Sequence, residues 1–265
     1  MKTLKENFFG NLGIGKKANI EQWIKENCEL IKNSTYKINS DMTIDVDGSV
    51  FIDKYPNKEF PEYIQFNIIK DYFFISESNI VTLKGCPKEC KKFCVQWCNN
   101  LTSLEGAPSK CKKFYVKYCK KLTSLENATD KCTVFLCEGC DGLTSLKSAP
   151  KKCKKYYYYF CDGLTSLEGA PNKCKEFICY SCEGLTSLDG APQDCKEFGC
   201  KSCDKLTSLE GAPNKCERFY CYDCKNLTSL KGAPKECELF NCEGCKGKFT
   251  EEDVLKVCNA KEIYC

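Results

Sequence analysis

Twenty-six cysteines and no histidine define the side-chain chemistry open to this 265-residue chain. Thiols can ligate soft metals, form disulfides, act as nucleophiles, or pack as small apolar groups. Spacing discriminates among these. Cys-x-x-Cys occurs at Cys137/Cys140, Cys179/Cys182, Cys200/Cys203, Cys221/Cys224 and Cys242/Cys245, and two such pairs on adjacent layers would suit tetrahedral zinc. Equivalent positions elsewhere in the chain, however, hold Val95, Val116 and Tyr158. Valine can replace a packed thiol but not a ligand, so the cysteines are expected to be buried apolar groups, with no metal and no cofactor. Disulfides between equivalent cysteines of neighbouring layers, which would stand near bonding range, are the alternative on oxidation. Cys86 and Cys94 leave the regular spacing and are the only candidate nucleophiles. No histidine, phosphate loop or acid pair stands outside that spacing, so no catalytic residue and no enzyme is expected. Asp41, Asp45 and Asp47 resemble a calcium loop only superficially, because the glycine and downstream glutamate miss the required offsets.

The element that must position these residues is a repeat. Leu-Thr-Ser-Leu begins at Leu101, Leu122, Leu143, Leu164, Leu185, Leu206 and Leu227, always at the same interval, with a degenerate copy at Ile80-Val81-Thr82-Leu83. A period without drift implies stacked turns of a coil, since an insertion would break contact with both neighbours. Numbering each unit from its first leucine, positions 11 and 19 are always Cys, position 14 is Phe or Tyr156, and position 16 is Cys, Val or Tyr158. Positions 14 and 16 share a face of an extended strand. Gly at position 6 and Pro at position 8, as in Gly169 and Pro171, forbid a regular helix on the return path. Eight parallel strands would then make a sheet about 38 Å long.

Positions 11 to 22 read C-x-x-F-x-[CV]-x-x-C-x-x-L, which resembles the leucine-rich repeats of the cysteine-containing kind. The resemblance covers about two thirds of the chain. It implies an α/β, mainly β solenoid: a right-handed coil with one parallel sheet and 21-residue turns. The segment Ile38-Asn39-Ser40-Asp41, continued by Thr43-Ile44-Asp45-Val46-Asp47-Gly48, is also similar to the N-terminal part of LTSLEGAP-repeat proteins encoded by tailed bacteriophages. Phe73-Phe74-Ile75-Ser76 fits that family's repeat, while Met42 replaces its usual Gly and Cys mostly replaces its Asn before the leucine. The resemblance implies a viral origin and carries no known activity.

Three regions follow: a small α+β N-terminal cap (1–79), eight repeats (80–247) and a short helical C-terminal cap (248–265). In the first, Ile20, Trp23, Ile24, Asn27, Cys28 and Ile31 predict a helix over 19–32 with Asn19 as N-cap, covering the open end of the coil. Tyr36 to Ile52 alternates and predicts a hairpin turning at Asp47-Gly48. In the last, Thr250-Glu251-Glu252-Asp253 has capping-box form. It predicts a short helix over 249–259 and a final strand containing Ile263.

With positions 14 and 16 inward, positions 13, 15 and 17 face outward along the expected concave surface. They are variable where the inward columns are nearly constant, and they carry Tyr115, Tyr157, Tyr159, Tyr180, Tyr220 and Tyr222 beside Lys113 and Lys155. Tyrosine offers large, rigid, amphipathic contact area, so these eight residues are the expected contact site for a protein partner. The net charge of +4 is concentrated early: the first, second and fourth units carry +3, +5 and +4. Nucleic acid is the alternative ligand, through Lys92, Lys112, Lys113, Lys154 and Lys155 among aromatics. A single arginine, Arg218, argues against a dedicated reader of bases or phosphates. A self-assembling structural role is a third possibility. No apolar run is long enough to span a membrane and no signal peptide follows Met1, so the expectation is a cytoplasmic protein without membrane contact.

Overall fold

An aromatic residue at the same place in each unit becomes a continuous ladder through the molecule. The structure is a computed structural model that describes residues 2–265, with side chains for 15–31 and 33–265. Phe73, Phe93, Phe114, Phe135, Tyr156, Phe177, Phe198, Phe219 and Phe240 are all fully buried. Successive rings lie 5.1 to 6.4 Å apart. They sit on one side of a single 12-stranded sheet whose order follows the chain. After α1 (Lys2–Asn27) come β1 (Glu29–Ile38), β2 (Ile44–Asp53) and β3 (Phe66–Ser76). The repeats then give β4 (Glu89–Gln96), β5 (Lys110–Lys117), β6 (Val134–Glu138), β7 (Lys155–Tyr159), β8 (Glu176–Tyr180), β9 (Glu197–Lys201), β10 (Arg218–Tyr220) and β11 (Glu236–Asn241). A short α2 (Glu251–Leu255) and β12 (Asn259–Tyr264) end the chain. β1 pairs antiparallel with β2; every later pairing is parallel. The expected mainly β solenoid with one parallel sheet is what forms, its turns constant in length from β4 to β11 and irregular at both ends.

The return path packs two leucine columns, positions 1 and 4, against the ring ladder, and nearly all are fully buried. Cysteine fills the narrow space between. Column 19 has a further role: Cys182 Sγ donates to Tyr158 O at 3.3 Å, Cys224 Sγ to Cys200 O at 2.9 Å and Cys245 Sγ to Cys221 O at 2.9 Å. These carbonyls belong to position 16 of the preceding turn, so a weak S–H donor pairs buried backbone acceptors from turn to turn. Glycine at position 6 is required by close approach: a Cβ on Gly106 (φ +89°) would lie 2.5 Å from the Leu83 backbone. Two adjacent units depart from this rule, with Asn127 (φ 66°) and Ser148 (φ 67°) at position 6, and the first also has Thr129 in place of Pro. Thr129 is buried, and its hydroxyl bonds Ser109 O at 3.1 Å and Lys131 O at 3.3 Å.

The ends differ from expectation in instructive ways. α1 starts at Lys2, which puts Asn19 inside the helix and not at its N-cap, and it stops at Asn27. Propensity does not account for the upstream extension, which includes Gly10, Gly13 and Gly15. The early stop has a reason: Leu30 and Ile31 pair with Val50 and Ser49, so β-pairing takes residues that continue the helical stripe. Ile20, Trp23 and Ile24 are buried as the cap, Trp23 meeting Phe60 and Tyr55 edge-on at 5.2 and 5.7 Å.

The hairpin turns at Asn39–Thr43, not at Asp47-Gly48. Asn39 N–H donates to Thr43 O at 2.8 Å, Met42 takes φ 67°, and Asp41 Oδ1 accepts from Thr43 N–H at 3.1 Å. An Asx-type turn closed by Asp41 satisfies the backbone at residues where an aspartate–glycine pair offers only flexibility. Gly48 instead lies within β2, where a Cβ would collide with Ser34 in a β1 bulge. Asp45 accepts from Asn39, Asn67 and Ile68 N–H at 3.0, 2.8 and 3.1 Å, and Asp47 pairs with Lys70 at 2.6 Å.

β2 and β3 already run parallel, with Phe73 opposite Phe93, so the coil continues upstream of residue 80 with degenerate sequence. At the other end Thr250 forms the capping box with Asp253, α2 is shorter than 249–259, and Ile263 lies in β12 opposite Phe240.

Candidate binding face of the sheet

Positions 13, 15 and 17 do face away from the core, but not all are exposed. Cys94, Leu136 and Ile178 at position 15 are buried, at 2%, 9% and 4% exposure. Ile178 leans onto the space above Gly199, where the Lys201 stem also lies. Lys117–Glu138 (2.7 Å), Lys155–Glu176 (2.6 Å) and Arg218–Glu197 (2.6 Å) bridge adjacent strands on this face, and each glutamate is mostly covered. Paired charges therefore divide the outward tyrosines into separate stretches of this face.

Within that frame the aromatic residues gather unevenly. Tyr157 and Tyr159 lie 5.7 Å apart, Tyr159 and Tyr180 6.0 Å, and Phe160 closes on Tyr180 at 5.5 Å. The position-17 row then continues through Lys201, whose ammonium sits 4.3 Å from the Tyr220 ring and 5.4 Å from Tyr222. Five of the eight expected contact residues thus form one surface: Tyr157, Tyr159, Tyr180, Tyr220 and Tyr222. Tyr115 stands apart, separated from Tyr157 by Leu136 and approached by Lys92 at 5.2 Å. Lys155 is committed to Glu176, whereas Lys113 is exposed without an ion pair among the described residues.

Electrostatics follow from this packing. Tyr157 donates to Glu176 Oε1 at 2.7 Å. Burial and that carboxylate hold its phenol protonated well above the ordinary range. Desolvation also raises Tyr159, Tyr220 and Tyr222. Lys201 is shifted down by the same partial burial, opposed by Glu197 and Glu176. At neutral pH the face therefore presents uncharged phenols and one poorly hydrated ammonium. Cys94, a candidate nucleophile, is pushed up to about 11 by burial, and burial raises Cys86 further. Both remain thiols at neutral pH.

Sequence reasoning missed position 18. Strict alternation would turn it inward after position 17, but every residue there is left-handed, with φ from 48° to 71° at Trp97, Tyr118, Gly139, Phe160, Ser181, Ser202, Asp223 and Gly244. The reversal throws position 18 out and turns Cys at 19 in. Its backbone N–H is held in a ladder, as from Trp97 to Lys117 O at 3.0 Å and from Phe160 to Tyr180 O at 2.9 Å, which opposes the steric cost of φ > 0. Trp97 and Tyr118 consequently stack on the surface at 4.1 Å and 9°. Tyr118 extends over Gly139, where a Cβ would lie 2.3 Å from its ring, and donates to Glu138 at 2.5 Å. The mixture of aromatic, glycine, serine and aspartate at this one position gave no periodic signal to read.

Most cysteines are buried free thiols, as expected. Cys28 is half-buried and Cys265 exposed, and Cys132 and Cys153 of column 11, whose Cα atoms are 4.6 Å apart, form a disulfide. Among the described residues no three Cys, Asp or Glu side chains converge as a metal site, and no helix is long and apolar enough to cross a membrane. No family model, curated protein or solved structure matches this chain.

Proposed function

We propose that the chain is a non-enzymatic scaffold that binds a protein through the open face of its sheet. The observation that carries this reading is the joined surface of Tyr157, Tyr159, Phe160, Tyr180 and Tyr222 around Lys201. Rigid aromatics rimmed by satisfied ion pairs are what a protein interface concentrates at its centre. The similarity of the Leu-Thr-Ser-Leu units and of Thr43 to Gly48 to phage-encoded repeat proteins makes an infected bacterial cytoplasm the place to look. A host or viral protein, such as a defence factor, is then the partner sought. The test compares immobilised wild type with a Tyr159→Ala/Phe160→Ala/Tyr180→Ala variant of unchanged circular dichroism. Wild type should retain a protein that the variant loses at least tenfold. Equal recovery would remove this face from consideration.

A polyanion is the second reading, on a different surface. Beside β4 to β7 a groove is lined by Lys112, Lys131, Lys152 and Lys154, none of which has an acidic partner among the described residues. The corresponding groove further along is neutralised, with Lys215–Glu236 at 2.9 Å and Lys261–Glu238 at 3.4 Å. Single-stranded nucleic acid bound there would dissociate steeply as salt rises; salt-independent binding would exclude it.

A further inference from the structure

Column 11 is as continuous as column 19, but it is the longer row and it lies closer to solvent. Its members are Cys90, Cys111, Cys132, Cys153, Cys174, Cys195, Cys216 and Cys237, and Cys258 extends the row, its Sγ 3.5 Å from that of Cys237. Nine thiol positions therefore follow one another without a gap. Cys90 stands directly opposite Cys111 in the β4–β5 ladder, and the bonded pair Cys132–Cys153 shows the Cα spacing, 4.6 Å, that the parallel stack imposes. The row also reaches solvent. Its members run from 1% to 8% exposed, Cys111 and Cys174 the most, whereas column 19 is sealed at 0% except for Cys245 at its C-terminal end, at 6%. Cys90, Cys111 and Cys132 floor one groove, and Cys195, Cys216 and Cys237 another.

We propose that these nine cysteines form a single thiol–disulfide exchange track, oxidised by small-molecule disulfides, along which one unpaired thiol moves. Oxidation takes two steps. A column-11 thiolate attacks a disulfide RSSR, forming Cys–S–SR and releasing RSH. The neighbouring thiolate then attacks the protein sulfur, forming Cys–S–S–Cys and releasing the second RSH. Two protein thiols lose two electrons and two protons, and the small disulfide gains them.

Nine is odd, so four neighbour disulfides always leave one thiol. That thiol is the next member of the same row beside the adjacent disulfide. Its attack on the nearer sulfur expels the farther one, which takes up the proton, with no net oxidation. Each exchange moves the free thiol by two turns. Pairing of all the others requires the free thiol to sit at Cys90, Cys132, Cys174, Cys216 or Cys258, never at Cys111, Cys153, Cys195 or Cys237. With Cys132–Cys153 in place, the choices narrow to Cys174, Cys216 and Cys258.

The test is a redox titration of the full chain in glutathione buffers, quenched by acid, alkylated, and mapped by peptide mass spectrometry. At full oxidation wild type should show one alkylated thiol among the nine, shared among several of the five allowed positions, with disulfides only between cysteines of directly neighbouring turns. Cys258→Ser and Cys90→Ser, at opposite ends of the row, should each leave none. Cys111→Ser should leave two, one of them fixed at Cys90. The sealed cysteines of columns 16 and 19 should react only on denaturation, whereas Cys242, whose Sγ lies 3.8 Å from that of exposed Cys265, and Cys245 at the end of the coil are scored separately. Free thiol at the forbidden positions, three or more unpaired thiols at equilibrium, or equal reactivity of the sealed column-19 cysteines would overturn the proposal. Circular dichroism confirms that each variant is folded, and the two end variants fail independently.

Discussion

Two adjacent inward tyrosines, Tyr156 and Tyr158, should respond in opposite directions to the same one-atom change. Both are fully buried in β7. Tyr156 is satisfied: its hydroxyl donates to Pro150 O at 2.6 Å and accepts from Cys153 N–H at 2.9 Å. Tyr158 occupies a column that is otherwise Cys or Val, its ring packs on Phe177 at 5.4 Å, and its hydroxyl has no partner. Tyr158→Phe keeps the ring and removes a buried, unpaired polar group, so it should stabilise by about 1–3 kcal/mol. Tyr156→Phe removes two hydrogen bonds and strands a buried carbonyl and amide, which should cost about 2–4 kcal/mol. At roughly 2–4 °C per kcal/mol for a chain of this size, the two variants should melt at least about 6 °C apart on either side of wild type. Thermal and urea denaturation under constant reductant reads the difference. Loss of stability in Tyr158→Phe would mean that this hydroxyl is paired, and would refute the account of column 16 as purely apolar packing.

Gly139→Ala places a methyl against Tyr118 at a left-handed position, so it should cost about 1–3 kcal/mol and alter Trp97 fluorescence through the disturbed Trp97–Tyr118 stack. Thr250→Ala removes the half of the capping box made by the Thr250 hydroxyl, leaving Asp253 to accept from the residue-250 backbone N–H, and should cost about 1 kcal/mol, read as faster hydrogen exchange across α2 and β12. Reduction of Cys132–Cys153, which closes a sequence separation of 21, should lower stability by about 3 kcal/mol on the chain-entropy account; an unchanged urea midpoint would show that the bond is not held in solution. Burial raises Cys98 and Cys111 from 9.0 to about 12, and Tyr156 from 10.0 to about 12. The folded values exceed the unfolded ones, so this contribution is complete below pH 9 and is lost progressively between about pH 9 and 12. Urea midpoints in reductant should hold from about pH 7 to 8.5 and fall steeply above 9.

The solenoid was legible because its signal is repetition: position 14 had to stack on position 14, whatever the strand ends did. The outward direction of positions 13, 15 and 17 followed from alternation. What alternation could not show was coverage. Cys94, Leu136 and Ile178 point outward yet are hidden by neighbouring turns, through contacts a whole repeat away along the chain. Phe160 and the Trp97–Tyr118 pair were missed because a backbone reversal, not side-chain type, brings position 18 to the surface. At the N-terminus, local signals competed. Asp47-Gly48 carried the stronger turn dipeptide, but Asp41 could cap the turn that the strand pairing needed.

The irregular units starting at Leu122 and Leu143 bear on how the chain finds its own alignment. Ring meets ring and leucine meets leucine equally well if one part of the coil slips past another by a whole unit, so the repeats alone do not count themselves. Asn127 and Thr129, with the Thr129 hydroxyl tied to Ser109 O, and then Ser148, Tyr156 and Tyr158 in the next unit mark two adjacent layers as different from the rest, and α1 and α2 mark the two ends. Whole-unit duplications or deletions on either side of those layers would preserve every interface. The length of such a molecule can therefore change one complete turn at a time while its ends and its two marked layers keep the count.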